Sequence, residues 1–228
     1  MLTLAFECSN LQLAIAILRD QKLIDQEIIA SGFSHSELLV AKIDEILKKN
    51  KFDYSDLDLV VICNGPASFT ALRVALTVAK IIKIACEKIV ITVDKCELLA
   101  NYALNQLEIL KKNNDNLFIN VVINVLANDF FIARFELKNQ QLNYLSKPCL
   151  VDIETILKSY NNAQNIFIFE QKELAEKFSE IPSNQIAILN NDAYILGIIG
   201  LEKFQNNNYP DVIEPIYLMD PKISIRKK

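Results

Sequence analysis

The segment from Leu59 to Ala85 limits what this chain can fold into more than any other. A short apolar run, Leu59 to Cys63, passes through Asn64-Gly65-Pro66-Ala67-Ser68-Phe69-Thr70-Ala71-Leu72-Arg73 into a longer apolar segment, Val74 to Ala85. The first run is uninterrupted, which predicts a strand buried on both faces. Gly-Pro ends it, and Ser68 and Thr70 open a helix as capping residues do. Strand, turn and helix N-terminus in succession is the arrangement that presents backbone N–H groups to an anion. The helix itself is unusual. Phe69, Leu72, Val74, Ala75, Leu76, Val78, Ala79, Ile81 and Ile82 leave only a thin polar stripe through Arg73, Thr77 and Lys80. A helix apolar nearly all round needs cover on more than one side. Either it is sandwiched within its own domain, or one side of it meets a partner protein.

The remaining chain supplies the layers around it. Leu2 to Cys8, Leu11 to Leu18 and Leu23 to Ala30 read as a three-strand meander with tight turns between them. Ser34 and Glu37 have capping-box spacing, and Leu39, Ile43, Ile46 and Leu47 then mark one face of a helix running to Lys49. Ile89 to Val93 is a further strand, and a helix follows from about Lys95 to Lys111. Asn113-Asn114-Asp115-Asn116 is polar and aperiodic, so a lobe boundary is placed there. Beyond it, strands are expected at 117–125, 129–137, 141–145, 166–169 and 186–189, with helices at 152–160, 172–178 and 193–204. The resulting division is 1–112, 113–210 and an extended segment, 211–228, that returns to the body.

Composition removes several function classes. The chain has 228 residues, 51% hydrophobic and 23% charged, with a net charge of −4. No global positive field draws in nucleic acid, and the basic end from Lys222 to Lys228 reads as a solvated tail. Five cysteines in apolar surroundings, with no C-x-x-C pair, predict reduced core thiols. No signal-peptide pattern or bilayer-length apolar run is present, so a cytoplasmic chain without a membrane anchor is expected. Glycine is scarce, with four residues where an average chain of this length carries roughly sixteen. Few phosphate-cradling loops can therefore exist.

The chemistry is equally restricted. His35 is the only histidine, which excludes a histidine-based zinc site, and no G-x-S-x-G exists to accompany it in a hydrolase triad. A surface or interface role for His35 follows. Glu7 ends the first strand, where phosphotransferases with an actin-like core hold a metal–phosphate group through Asp; a hydrogen-bonding role at a strand end is the alternative. Neither G-x-x-x-x-G-K-[ST] nor G-x-G-x-x-G occurs.

Taken together and in order, Glu7-Cys8-Ser9, Ser34-His35-Ser36-Glu37-Leu38-Leu39, Gly65 to Val74, Ala79-Lys80 and Pro215-Ile216-Tyr217-Leu218 resemble the TsaB/YeaZ family. The likeness is strong from Glu7 to about Ala103 and weaker beyond. It implies an α/β, actin/Hsp70/sugar-kinase-like fold (ASKHA, ribonuclease H-like) of two lobes, the second reduced. It implies a non-catalytic scaffold or activator of the complex that adds a threonylcarbamoyl group to N6 of adenosine 37 in ANN-decoding tRNAs. Members of that family heterodimerise with the catalytic subunit TsaD, with the ATPase TsaE in the same assembly and tRNA reached through the complex.

By the same resemblance, the first two helices form the partner interface, here through His35, Leu38, Leu39, Phe69, Leu72, Arg73, Leu76 and Val78. Glu7, Gly65, Ser68 and Thr70 would be a residual phosphate or nucleotide loop. No catalytic or metal-ligating residue is implied, and ATP and Mg would serve the complex rather than this subunit. A homodimer is expected when TsaD is absent. The chain departs from the family's pattern at Glu7 (for Asp), at Ala67 and Ala71 (for Gly), at Asn124-Val125-Leu126 (for a D-A-R-type segment) and at Asn128 (for Gly), while Asp129 keeps the acid. These changes favour the scaffold over the alternative of an ATP-binding small-molecule kinase of the same fold. A third reading, a protease, lacks a nucleophile, base or metal set.

Overall fold

Three antiparallel strands, β1 (Leu2–Glu7), β2 (Gln12–Arg19) and β3 (Lys22–Ala30), form the expected meander. β4 (Leu59–Cys63) pairs in parallel with β1, and β5 (Ile89–Val93) in parallel with β4, giving the order β3-β2-β1-β4-β5. Parallel neighbours need crossovers, and α1 (His35–Lys49) and α2 (Phe69–Cys86) supply them. Both helices lie on one face. Leu4, Phe6, Ile15, Val60 and Ile62 of the strands share a core there with Leu39, Ile43, Leu72, Leu76 and Ile82. The structure is a computed structural model and describes residues 1–8, 12–30, 35–67, 69–106, 117–126, 129–139, 141–158, 165–169, 172–178, 185–187, 192–210 and 212–216.

The second sheet repeats the plan. β6 (Leu117–Leu126), β7 (Asp129–Lys138) and β8 (Gln141–Asp152) form a meander, and β9 (Asn165–Phe169) and β10 (Gln185–Ala187) add in parallel beyond β6. Its order, β10-β9-β6-β7-β8, is that of the first sheet element for element. This doubled ribonuclease H-like topology is the actin/sugar-kinase-like α/β fold. The second half is reduced in its helices: α4 (Ile153–Lys158) and α5 (Lys172–Lys177) have 6 residues each, against 15 and 18 in α1 and α2. The strand expected at 141–145 extends to Asp152 through Pro148, which an edge strand tolerates.

One helix links the sheets, and another covers the opposite face of the first sheet. α3 (Lys95–Gln106) puts Cys96, Leu99, Ala100 and Ala103 into the core of β6, β7 and β9, and Leu98 into that of the first sheet. α6 (Ala193–Gln205) is capped by Asp192, whose side chain accepts from the N–H groups of Tyr194 and Ile195. The sequence division assigns this helix to 113–210, yet it packs on the first sheet, against Ala5, Ala14, Ala16, Leu18 and Val61. Close approach explains it. A Cβ on Gly200 would lie 2.3 Å from Val61 Cγ2, and one on Gly197 would lie 2.6 Å from Leu18 Cδ1. The segment 212–216 also returns to the first sheet, where Ile213 is buried among its core residues. The proposed linker 113–116 lies outside the described residues.

Candidate functional site

The helix α2 is neither fully sandwiched nor fully free. Its inward side, Ala71, Leu72, Ala75, Leu76, Ala79 and Ile82, is buried against β4 and α1. Its outward side carries Thr70, Arg73, Thr77 and Lys80, joined at the C-terminal end by Ile81 and Ile84, 58% and 79% exposed. At the N-terminal end the Arg73 guanidinium lies 3.6 Å from the centroid of the half-exposed Phe69 ring. Val40 of α1 is also exposed.

This geometry corrects the expected interface. Leu39, Leu72 and Leu76 are 0%, 2% and 4% exposed and belong to the chain's own core, because their spacing points them at the sheet. Leu38 and Val78 are half-buried at the margin. Phe69 and Arg73 remain on the surface. His35 opens α1, but its side chain and the whole of Ser68 lie outside the described residues.

The loop that launches α2 is tied to three other parts of the chain. Gly65 has φ +99°, a conformation that L side chains rarely adopt, and a Cβ there would stand 3.0 Å from Leu72 Cδ2. Its carbonyl accepts from the Lys95 N–H at 2.7 Å. Asn64 donates its N–H to the Val93 carbonyl (3.0 Å) and accepts from the Ile216 N–H (2.9 Å), while its Nδ2 donates to the Glu214 carbonyl (3.0 Å). The two alanines that replace family glycines face inward: Ala71 is buried and Ala67 packs against the core.

Glu7 and Thr70 are not brought together. Strand alternation sets Glu7 with Ala5 on the α6 side of the sheet and Cys8 with Phe6 on the α2 side. Cys8 Sγ donates to the Ala71 carbonyl at 3.4 Å. Burial, with Glu7 beside it, pushes the Cys8 thiol up to about 12. Burial, the Glu7 charge and a hydrogen bond with Glu7 hold the Cys63 thiol well above its ordinary value, with Lys95 opposing. Glu7 and Lys95 are both buried, and both act on the Cys63 thiol. The cysteines are not uniformly core residues: Cys149 is exposed on β8 and Cys86 is half-exposed. Among the described residues, no three His, Cys, Asp or Glu side chains converge as metal ligands.

A polar group between the sheets had not been singled out from the sequence. Asp94 caps α3 by accepting from the Glu97 N–H at 2.9 Å, and its other oxygen accepts from the Tyr144 hydroxyl of β8. Glu97 pairs with Lys203 of α6 at 2.7 Å, both about one-fifth exposed. Burial raises the carboxyl groups of Asp94 and Glu97 above their ordinary values. The Asp94-x-x-Glu97 spacing after a strand was the available signal for the cap. No described helix is long and apolar enough to cross a membrane.

The chain is similar to known proteins over much of its length. A family model, TsaD: tRNA N6-adenosine threonylcarbamoyltransferase, matches residues 29–200. The tRNA threonylcarbamoyladenosine biosynthesis protein TsaB of Bacillus subtilis is 30% identical over 100 residues, 44% of each chain. A tRNA N6-adenosine threonylcarbamoyltransferase of Protochlamydia amoebophila is 30% identical over 113 residues, 42% of this chain and 33% of that one. The chain therefore spans less than half the length of these curated relatives. In fold, YeaZ from Pseudomonas aeruginosa superposes with a TM-score of 0.78, covering 95% of this chain and 99% of that one at 16% identity.

Proposed function

The chain belongs to the TsaD family of tRNA N6-adenosine threonylcarbamoyltransferases, on its TsaB/YeaZ side by sequence likeness and fold, and on that premise we propose that it is a non-catalytic subunit of tRNA threonylcarbamoyladenosine synthesis. It heterodimerises with the catalytic subunit TsaD through the outward face of α2 and the adjoining part of α1, and activates it. TsaE joins the same assembly, and tRNA is engaged through the complex. Alone, the chain pairs with itself through the same face.

The observation that carries this reading is the outward side of α2, where Ile81 and Ile84 stand in water at the C-terminal end and the Arg73–Phe69 pair at the N-terminal end of the same face. Exposed β-branched apolar residues on the same helix face as an Arg–aromatic pair are residue types that protein interfaces use. The proposed role requires no ATP or Mg bound by this subunit. The residues support that: Glu7 is 1% exposed, and the loop and first turn of α2 carry Ala67 and Ala71 where close backbone approach to a phosphate would favour glycine.

Reconstitution tests the proposal. TsaD, TsaE, tRNA and the threonylcarbamoyl donor are combined with and without this chain, and modified adenosine is scored. Modification that depends on the chain, and survives Glu7→Gln, is the expected result. Equal modification without the chain removes the activator role.

A further inference from the structure

The second sheet has no part in the proposed interface, yet one of its side chains reaches Asp94, whose neighbour Lys95 holds the loop that launches α2. Tyr144 on β8 donates its hydroxyl to Asp94. Asp94 is the cap of α3, held there by the Glu97 N–H at 2.9 Å. The next backbone N–H, that of Lys95, donates to the Gly65 carbonyl at 2.7 Å. Gly65 in turn abuts α2, with Leu72 Cδ2 3.0 Å from where its Cβ would be. Every link is a polar or packing contact with one arrangement in the structure. A shift of Asp94 moves the Lys95 amide, and the Gly65 carbonyl must follow or lose a buried hydrogen bond.

We infer that Tyr144 is a positioning residue: through Asp94 and the Lys95 amide it fixes the Gly65 loop and thereby the angle of α2. This rests on the reading of α2 as the TsaD-binding helix and gives the second sheet a role in it. The chemistry suits the task. The phenol–carboxylate bond is charge-assisted and so directional, and the Tyr144 ring is held by Phe135, with centroids 4.2 Å apart. Burial and the Asp94 charge raise the Tyr144 hydroxyl above its ordinary value, which keeps it a donor. Coupling between sites is reciprocal, so TsaD bound on α2 will in turn protect the Lys95 amide.

Tyr144→Phe removes the hydroxyl and keeps the ring against Phe135. In the free protein, amide exchange at Lys95, and at Arg73 and Val74 in the first closed turn of α2, is expected to accelerate about tenfold while β4 amides stay unchanged. TsaD affinity is expected to fall about fivefold. In an Asp94→Ala background, where the hydroxyl has lost its acceptor, Tyr144→Phe should add nothing further. Faster exchange at Lys95 without a change at Arg73 and Val74 would overturn the inference, as would an equal Tyr144→Phe effect in the Asp94→Ala background. If the wild-type chain fails to bind TsaD, the partner reading falls. The positioning role is then decided by the Arg73 and Val74 amides alone, where unchanged exchange overturns it.

Discussion

Arg73 lies with its guanidinium 3.6 Å from the centroid of the Phe69 ring, on the first turn of α2 where both residues are exposed. Four residues apart on a helix, they are neighbours by geometry, and the stack fixes a broad amphipathic surface at little entropic cost. Phe69→Ala is expected to change folding stability by no more than about 1 kcal/mol, the worth of the exposed cation–π pair. It should weaken TsaD binding by about 1–2 kcal/mol. Paired denaturation and calorimetric titration of the variant check both numbers. A loss of stability larger than the loss of affinity would make Phe69 structural.

Gly200 is where α6 touches the first sheet. An added methyl would meet the Val61 side chain at 2.3 Å, with Val61 itself fully buried in the middle of a strand. Gly200→Ala should therefore destabilise by about 1–3 kcal/mol through overpacking, despite the better helix propensity of alanine. Urea unfolding measures it. An unchanged or higher midpoint would mean that α6 can lift off the sheet freely.

Much of this architecture was legible in the sequence, for a physical reason. β4 is a continuous apolar run because both its faces are covered, and the meanders alternate with tight turns, so strand order follows from connection lengths. The face of α2 was less legible. Apolar residues run round most of its circumference, and only the sheet decides that Leu72 and Leu76 point in while Ile81 and Ile84 point out. The attachment of α6 is a long-range choice that local pattern does not encode. Its trace in the sequence is the Gly197-x-x-Gly200 spacing, matched by Ala5, Ala14 and Ala16 on the strands it covers. The Tyr144–Asp94 contact joins β8 to the N-terminus of α3, and although the Asp94-x-x-Glu97 spacing marks a helix cap, nothing local marks Tyr144 as its partner.

Glu97 gives the fold a pH dependence of definite sign. Burial holds its carboxyl above the ordinary 4.5 in spite of Lys203, so the folded chain binds this proton more tightly than the unfolded one. Its contribution to stability is present below about pH 4.5 and is lost as pH rises through the folded value. Glu97→Gln removes the titration. The unfolding free energy of wild type minus that of Glu97→Gln should fall as pH is raised from below 4.5 towards neutrality. Urea melts across that range check it, and a difference that rises with pH would give the Lys203 pair the controlling role.

Thiol reactivity should divide the cysteines by environment. Cys8, pushed up to about 12, and Cys63, well above its ordinary value, are buried and protonated at neutral pH. Cys149 is exposed on the edge of the second sheet. Iodoacetamide at pH 8 should label Cys149 fully while the native chain keeps Cys8 and Cys63 unmodified for hours. Mass spectrometry of the digested protein reads the pattern. Rapid labelling of Cys63 would show that the end of β4 opens.

The central claim is that the outward face of α2 binds TsaD, and Ile84 tests it with least ambiguity, being 79% exposed and without a place in the core. Calorimetric titration of TsaD into the wild-type chain and into Ile84→Asp is the measurement. The account predicts wild-type binding at or below about 1 µM. It predicts at least about tenfold weaker binding for Ile84→Asp, with a denaturation midpoint equal to wild type. Wild-type affinity in Ile84→Asp, or no binding by the wild-type chain, would contradict it.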